Sequence, residues 1–344
     1  MAARTQLSFA SFNLYNLNLD NLPMYRDRDG WDEATYTKKV DWAASVIKNG
    51  NVNAWGFQEL WHKKALEDVF KKAGVLNAYE LLVPDNQEGQ RIVCAGAVKK
   101  DILVGSPEWI VNFPDKFMLK NAGGDPQTPL INVALTRFSR PILHFKIKPR
   151  SNGKTISIYV AHLKSKRPAE IYREDWYRGN ADYYKNHSVA LGAAISTIRR
   201  TAEAAALRMI ITEELKNTDT PVVVLGDLND SQHSNTLNII TGQPNYLLSG
   251  LSSGGSDTGL YTAGALQQLR SLRNVYYTHI YQNIKESLDH ILVSQEFYDN
   301  SRKRIWAFKG VEIINDHLNT EDHKIDGSTD HGIVKASFEY RPVK

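Results

Sequence analysis

A single cysteine, Cys94, stands among the 344 residues. That excludes an internal disulfide framework and any metal site built from several thiolates. Its apolar setting, IVCAGAV, predicts a packed and inert thiol. No apolar run approaches the roughly 18 residues that a membrane span requires. The N-terminal stretch MAARTQLSFASFNLYN is broken by polar residues and lacks an apolar segment followed by a small-residue cleavage site. No signal peptide is therefore expected within this chain, which leaves a cytoplasmic location or secretion after loss of a leader. No Pro- or Ser-rich linker and no repeat of about 20 to 50 residues divides the sequence, so one catalytic domain over residues 1–344 is the simplest expectation. Charge of one sign is scarce as well. The 42 Lys and Arg against 38 Asp and Glu leave only +4, a mild bias toward anionic partners.

What the chain does have is short strand-like runs. LSFASFN (7–13), NAWGFQE (53–59), RIVCAGAV (91–98), INVALTRF (131–138), ISIYVAH (156–162) and VVVLGD (222–227) are apolar or alternating, as are SLDHILVS (287–294), RIWAFKGV (304–311) and GIVKASFEY (332–340). Helical spacing places Val40, Ala43, Ala44 and Ile47 on one side of a segment that stops at Gly50. A longer helical pattern runs from about His187 to Leu215, before Pro221. SGLSSGGSDTG (249–259) and NDHLNTEDHKIDGST (315–329) are expected to be loops.

The strand ends share a chemical type. Asn13 closes the first, Gln58 and Glu59 the second, His162 another, and Asp227 and Asn229 the next. Asp289 lies inside SLDHILVS, and Asp330 and His331 open the last. Strands held in packed sheets can converge such ends at one rim, where catalytic groups are usually carried. Hard oxygen donors such as Asn13, Glu59 and Asp330 suit magnesium, manganese or calcium, with magnesium favoured; a zinc site more typically shows Cys or paired His. Magnesium binds and neutralises phosphate oxygens, which makes a phosphate ester the expected substrate. An imidazole beside a carboxylate activates water near neutral pH, a role that fits His331 and Asp289. The absence of a P-loop, serine elbow or paired-cysteine motif favours direct attack by water.

In order, FNLYN, FQE, AHLKS, GDLND, LDHILVS and TDHG resemble the motifs of the endonuclease/exonuclease/phosphatase superfamily, from Asn13 to His331. The resemblance implies a four-layered α/β sandwich, two mostly antiparallel sheets face to face with helices outside. It also implies Asn13, Glu59 and Asp330 at the metal, with Glu59 the primary ligand. His331 would then be the general base oriented by Asp289, Asp227 and Asn229 would hold the attacking water and a phosphate oxygen, and His162 would donate to the phosphate. Repair endonucleases of this superfamily usually carry an acid where Tyr15 stands and a Tyr where His162 stands, and inositol phosphatases a Cys-Asp-Arg where Leu288-Asp289-His290 stands. The chain is therefore similar to the deoxyribonuclease and sphingomyelinase side, and most to bacterial nuclease-like members.

Lys164, Lys166 and Arg167 follow His162 and are candidates for flanking phosphates, with a solvated basic turn as the alternative. The stretch 171–187 interleaves aromatic and basic residues suited to stacking on bases, Tyr177 among them, and Arg199 or Arg200 could reach the site from the following helix. His233, His290, His317 and His323 are expected to be surface or loop residues. The expected function is hydrolysis of DNA by a monomeric, magnesium-dependent phosphodiesterase without a membrane segment. A sphingomyelinase-like or small-molecule phosphoester hydrolase, and a non-catalytic nucleic-acid-binding module, are the alternatives.

Overall fold

The computed structural model describes residues 4–25, 29–122, 124, 127–244, 255–271, 277–320 and 322–343. Its strands, in chain order, are β1 Gln6–Leu17, β2 Ala54–His62, β3 Tyr79–Leu82, β4 Glu88–Lys99, β5 Leu103–Asn112, β6 Leu119–Asn121, β7 Ile131–Val133 and β8 Arg137–Ile147. There follow β9 Ile156–His162, β10 Val222–Asp227, β11 Tyr261–Thr262, β12 His279–Tyr281, β13 Ile284–Glu286, β14 Asp289–Val293, β15 Trp306–Ile314 and β16 Ile333–Tyr340. Two six-stranded sheets result, ordered β15-β16-β1-β2-β4-β3 and β11-β14-β10-β9-β8-β5, with β6-β7 and β12-β13 as separate hairpins. Among the described residues only β1 with β2 and β9 with β10 run parallel within the large sheets.

The β-branched and aliphatic residues that mark these runs are consumed in the space between the sheets. Phe9, Val334 and Phe338 meet Leu143, Ile158, Val160, Val223, Leu225 and Ile291 there. Each such side chain contributes about 1.5–3 kcal/mol on full burial. Helices cover the outer faces. Glu33–Gly50 and Lys63–Lys72 set Val40, Ala44, Ile47, Leu66 and Phe70 against Phe12, Trp55 and Phe57 of the first sheet. On the second, Ser188–Leu215 sets Ala204, Leu207 and Ile211 against Tyr159, Val222 and Val224. The layers are helix, sheet, sheet, helix, as the resemblance implied. Among the described residues no helix is long and apolar enough to cross a membrane.

Several details differ from the sequence reading. INVALTRF is not one strand: Ile131–Val133 pairs in a small hairpin with Ile131 54% exposed, and a new strand starts at Arg137. The alternating pattern belongs to a ribbon outside the core. β5 and all of β8 beyond Phe138 are strands that the sequence reading does not contain, and each holds a proline. Pro107 falls in a register break of the edge strand β5, and Pro141 precedes the stretch of β8 paired with β9, so neither removes a needed donor. The expected loop 315–329 contains two helical turns, Asp316–Asn319 and His323–Asp326. Of the expected loop 249–259, residues 249–254 lie outside the described residues.

Candidate active site

Three neighbouring strands of the second sheet set the first row of the site. Asp227 at the end of β10 is in register with His162 at the end of β9 and with Asp289 at the start of β14. Gly226 makes this row possible, since a Cβ there would fall 2.0 Å from the carbonyl oxygen of Ala161 on the adjacent strand.

The opposing sheet contributes through two bulges. β1 loses register between Asn13 and Leu17 and β2 between Phe57 and Leu60. Tyr15, Asn16 and Glu59 take positive φ values of 48°, 56° and 59°, conformations that cost non-glycine residues energy and cluster at functional sites. The bulges lean on each other, the backbone N–H of Asn16 donating to Oε2 of Glu59 at 3.1 Å. They aim Asn13 and Glu59 toward the second sheet, where Nδ2 of Asn13 donates to Oδ2 of Asp227 at 3.1 Å.

The last segment completes the site. Nδ1 of His331 lies 2.8 Å from Oδ2 of Asp289, and its Nε2 lies 3.8 Å from Oδ2 of Asp227. Nε2 of His162 is 3.5 Å from the same Asp227 oxygen. Thr329 fixes the approach, donating from Oγ1 to the carbonyl of Asn13 at 2.9 Å and accepting from the His331 N–H at 3.2 Å. The eight residues singled out as metal-binding or catalytic thus meet in one place.

Their protonation follows from burial and charge. Burial pushes the Asp227 carboxyl up to about 7; His331 opposes the shift, and the Asp289 and Glu59 charges add to it. Burial and then the Asp330 charge raise Glu59. For His331 burial alone would lower the pKa, but the Asp289 and Asp227 carboxylates outweigh it and hold the imidazole well above its ordinary value. His162 goes the other way. Burial, then the charges of Arg140, His331 and Lys164, keep it well below the ordinary value, so it stands as a neutral imidazole.

The mutual repulsion of Glu59 and Asp330 is what a divalent cation would relieve, and their hard oxygens suit one. Asn13 carries hydrogen bonds of its own: its Oδ1 accepts from the Tyr15 N–H at 3.0 Å, leaving one lone pair, while its amide aligns Asp227. One oxygen of Asp289, Oδ1, is buried without a hydrogen-bond partner, and ligand atoms of Asp227, Asp289 and His331 lie within 4.8 Å of one another. Asn229, at φ 54°, forms the turn after β10. Its N–H donates to Oδ1 of Asp227 at 2.9 Å and its Nδ2 to the Leu163 carbonyl at 3.1 Å.

The expected substrate contacts fare differently. Lys164 turns its ammonium onto its own loop, donating to the Ser165 and Arg167 carbonyls at 3.3 and 3.2 Å. Burial and then the nearby Arg140 and Arg199 lower its pKa to about 8. Arg199 is exposed, whereas Arg200 is buried and donates to Oδ2 of Asp230 at 3.2 Å and to the Lys164 carbonyl at 3.3 Å. Tyr177 is buried with its ring stacked on Tyr184, leaving Tyr172, Trp176 and Tyr183 as the exposed aromatics of that stretch. His290 is no surface residue. It points inward from β14, 6% exposed, with Nε2 2.9 Å from the Asp230 carbonyl. His317 is half-buried, its Nε2 2.9 Å from the His331 carbonyl.

Three residues escaped sequence reasoning. Arg140 on β8 donates to the Leu163 carbonyl at 3.1 Å, and its charge acts on Glu59, His162 and Lys164. Nothing local marks it. Glu203 accepts from the N–H groups of Ser139 and Lys164 at 2.9 and 2.7 Å. An acid on the buried helix stripe shared by Ser196, Arg200 and Leu207 was its available signal. His279, on the β12-β13 hairpin, has its ring centroid 5.0 Å from that of His331.

A sequence profile of the Endonuclease/Exonuclease/phosphatase family matches residues 120–331, more than half of the chain. The chain belongs to that family. Asn13 and Glu59 precede the matched span, so it is the fold that joins them to the family's segment. No curated protein sequence matches the chain. Among solved structures it is similar to an endonuclease/exonuclease/phosphatase family protein from Bacteroides thetaiotaomicron, with 14% identity, TM-score 0.57 and coverage of 98% of this chain and 99% of that one. It is also similar to the mannosyl-6-phosphatase of the same organism, with 15% identity, TM-score 0.55 and coverage of 96% and 99%. A third is D. rerio TDP2 complexed with single strand DNA product, with 13% identity, TM-score 0.55 and coverage of 97% and 99%. At these identities the likeness is one of fold. Members of this family are generally phosphoester hydrolases and typically depend on a divalent metal.

Proposed function

We propose that this chain, acting as one catalytic unit, is a magnesium-dependent phosphodiesterase that hydrolyses DNA. The observation that carries the reading is the His331–Asp289 pair, buried and hydrogen-bonded, with Nε2 of His331 turned toward Asp227 and away from Asp289. In this reading Nε2 takes the proton of the attacking water, while Asp289 holds Nδ1 protonated and stabilises the imidazolium that forms. Asp227, fixed by Asn13 and the Asn229 N–H, orients that water. Neutral His162 donates one hydrogen bond to a non-bridging phosphate oxygen, and Arg140 supplies positive charge on the same side. Glu59 and Asp330 would hold the magnesium ion, which neutralises charge on the phosphate and on the departing oxygen.

An anionic substrate is supported by the cations near the rim. After burial, Arg140 and Arg199 are the largest influences depressing Lys164, Glu203 opposing them and Arg200 being already paired with Asp230, and their like charge is what a polyanion relieves. DNA is further supported by the single strand DNA product bound to the D. rerio neighbour, whereas the mannosyl-6-phosphatase neighbour stands for a small phosphomonoester. Supercoiled DNA, linear DNA, RNA, a lipid phosphodiester and a sugar phosphate, each with magnesium and with chelator, separate these readings. Magnesium-dependent nicking of DNA, with binding that weakens steeply as salt rises, is the expected result. Rapid turnover of the sugar phosphate with a flat salt response would replace DNA by a monoester.

A further inference from the structure

The oxygen ligands Glu59 and Asp330 do not use the imidazoles around them, and one of those imidazoles, His279, has no part in the hydrolysis described above. His279 forms an isolated antiparallel bridge with His331, and the two rings are tilted 43° to each other at 5.0 Å. One ligand atom from each of His279, Asp330 and His331 lies within 4.8 Å of the other two. His279 and Asp330 are partly exposed, so small rotations are open to both and an ion can reach them. The backbone beneath them is fixed: the Gly332 N–H donates to the Thr278 carbonyl at 2.6 Å, and Thr278 Oγ1 accepts from the N–H groups of Leu288 and Asp289 at 2.9 and 3.1 Å.

Two imidazoles and a carboxylate form the ligand set of a zinc-class ion, borderline in softness, and not of magnesium. The orientation of His331 agrees with this. Its Nδ1 is held by Asp289 at 2.8 Å, which leaves Nε2, 3.8 Å from Oδ2 of Asp227, as the nitrogen open to an ion and would give the carboxylate–imidazole–metal arrangement that raises the basicity of a ligating histidine. We propose that His279, Asp330 and His331 form a second cation site, specific for zinc or a chemically similar transition metal, whose occupation silences the enzyme. Bound zinc takes the Nε2 lone pair that would accept the proton of water, and it claims Asp330 from the magnesium site. Magnesium supports the reaction and zinc stops it, through partly shared side chains. The silencing rests on His331 being the base; the ligation itself does not.

The test uses the full chain in excess magnesium. Zinc X-ray absorption on the wild-type protein reads the number of imidazoles per ion, and cobalt titration followed by visible absorption reads affinity in wild type, His279→Ala and His279→Gln, with thermal melts in chelator establishing that each variant is folded. Two imidazoles per zinc, and a loss of cobalt affinity of at least about tenfold in either folded variant, are expected, since loss of a group that merely orients a ligand already costs 10–100-fold. On substrate, the zinc concentration that halves the rate should rise by at least the same factor, taken relative to each variant's own rate without zinc. One imidazole or none per zinc, or equal cobalt affinity in wild type and a folded variant, overturns the proposal and leaves the magnesium-dependent hydrolysis standing. If no substrate is hydrolysed, the absorption measurements still decide whether the site exists.

Discussion

Nδ1 of His331 and Oδ2 of Asp289 are 2.8 Å apart although 42 residues separate them in the chain. Both side chains are buried, and a buried carboxylate is costly without a partner, which His331 supplies. The same contact leaves only Nε2 of His331 available for chemistry.

Replacement of His331 by Ala should therefore lower kcat by about 100- to 10,000-fold, the usual worth of a general base, with KM changed far less. Steady-state kinetics of the purified variant checks this, and a KM effect as large as the kcat effect would assign His331 to binding instead.

The pH dependence has a definite sign. The folded-state pKa of His331 is raised, so its pair with Asp289 stabilises the fold fully below the ordinary histidine value and loses that contribution as pH rises through the folded value. As a base, His331 works only when deprotonated, so turnover should rise with pH along one limb. Asp289→Asn removes the charge that raises His331, and the limb should move to lower pH while maximal turnover falls. A pH–rate profile in which the limb stays in place or moves up speaks against the pairing.

Metal dependence should follow Glu59. Glu59→Gln removes one charge of the repelling pair with Asp330 and should raise the magnesium concentration for half-maximal activity by at least about tenfold, a change of about 1.4 kcal/mol. A magnesium titration of activity gives the number directly.

Arg140→Ala should weaken substrate binding, raising KM, and should let the Lys164 pKa climb from about 8, since Arg140 is the largest charge acting on it. If the substrate is DNA, the slope of log affinity against log salt should also fall by about one. An unchanged salt slope would confine Arg140 to its bond with the Leu163 carbonyl.

Gly226→Ala tests the row of side chains on the second sheet. With a Cβ only 2.0 Å from the Ala161 oxygen, β9 and β10 must move apart, at a cost of about 1–3 kcal/mol or more, read as a lower urea midpoint.

Parts of this arrangement were legible from the chain and parts were not, for physical reasons. VVVLGD declares itself because β-branched residues buried on both faces end abruptly in a carboxylate, and its strand is the one expected, Val222–Asp227. The helix Glu33–Gly50 follows from apolar spacing, and Ser188–Leu215 from a dense run of Ala, Leu, Ile and Met that ends before Pro221. Glu59 was legible as an acid at a strand end, but not as a residue held at φ 59° by a bulge, because no sequence signal marks a bulge made by a residue other than glycine. Arg140 and His279 were invisible because their importance comes from neighbours brought near by strand order, and strand order has no local signature. Tyr177 illustrates the converse: its composition suits stacking on a base, and packing against Tyr184 uses that ring instead.

The most direct test of the account is hydrolysis of plasmid DNA by the wild-type protein in oxygen-18 water with magnesium. One heavy oxygen should appear on the phosphate end left by each cleavage, with turnover abolished by chelator and lowered by about 100- to 10,000-fold in His331→Ala. Turnover that survives both treatments, or product phosphate without the label, would contradict water activated by His331 at a metal-dependent site.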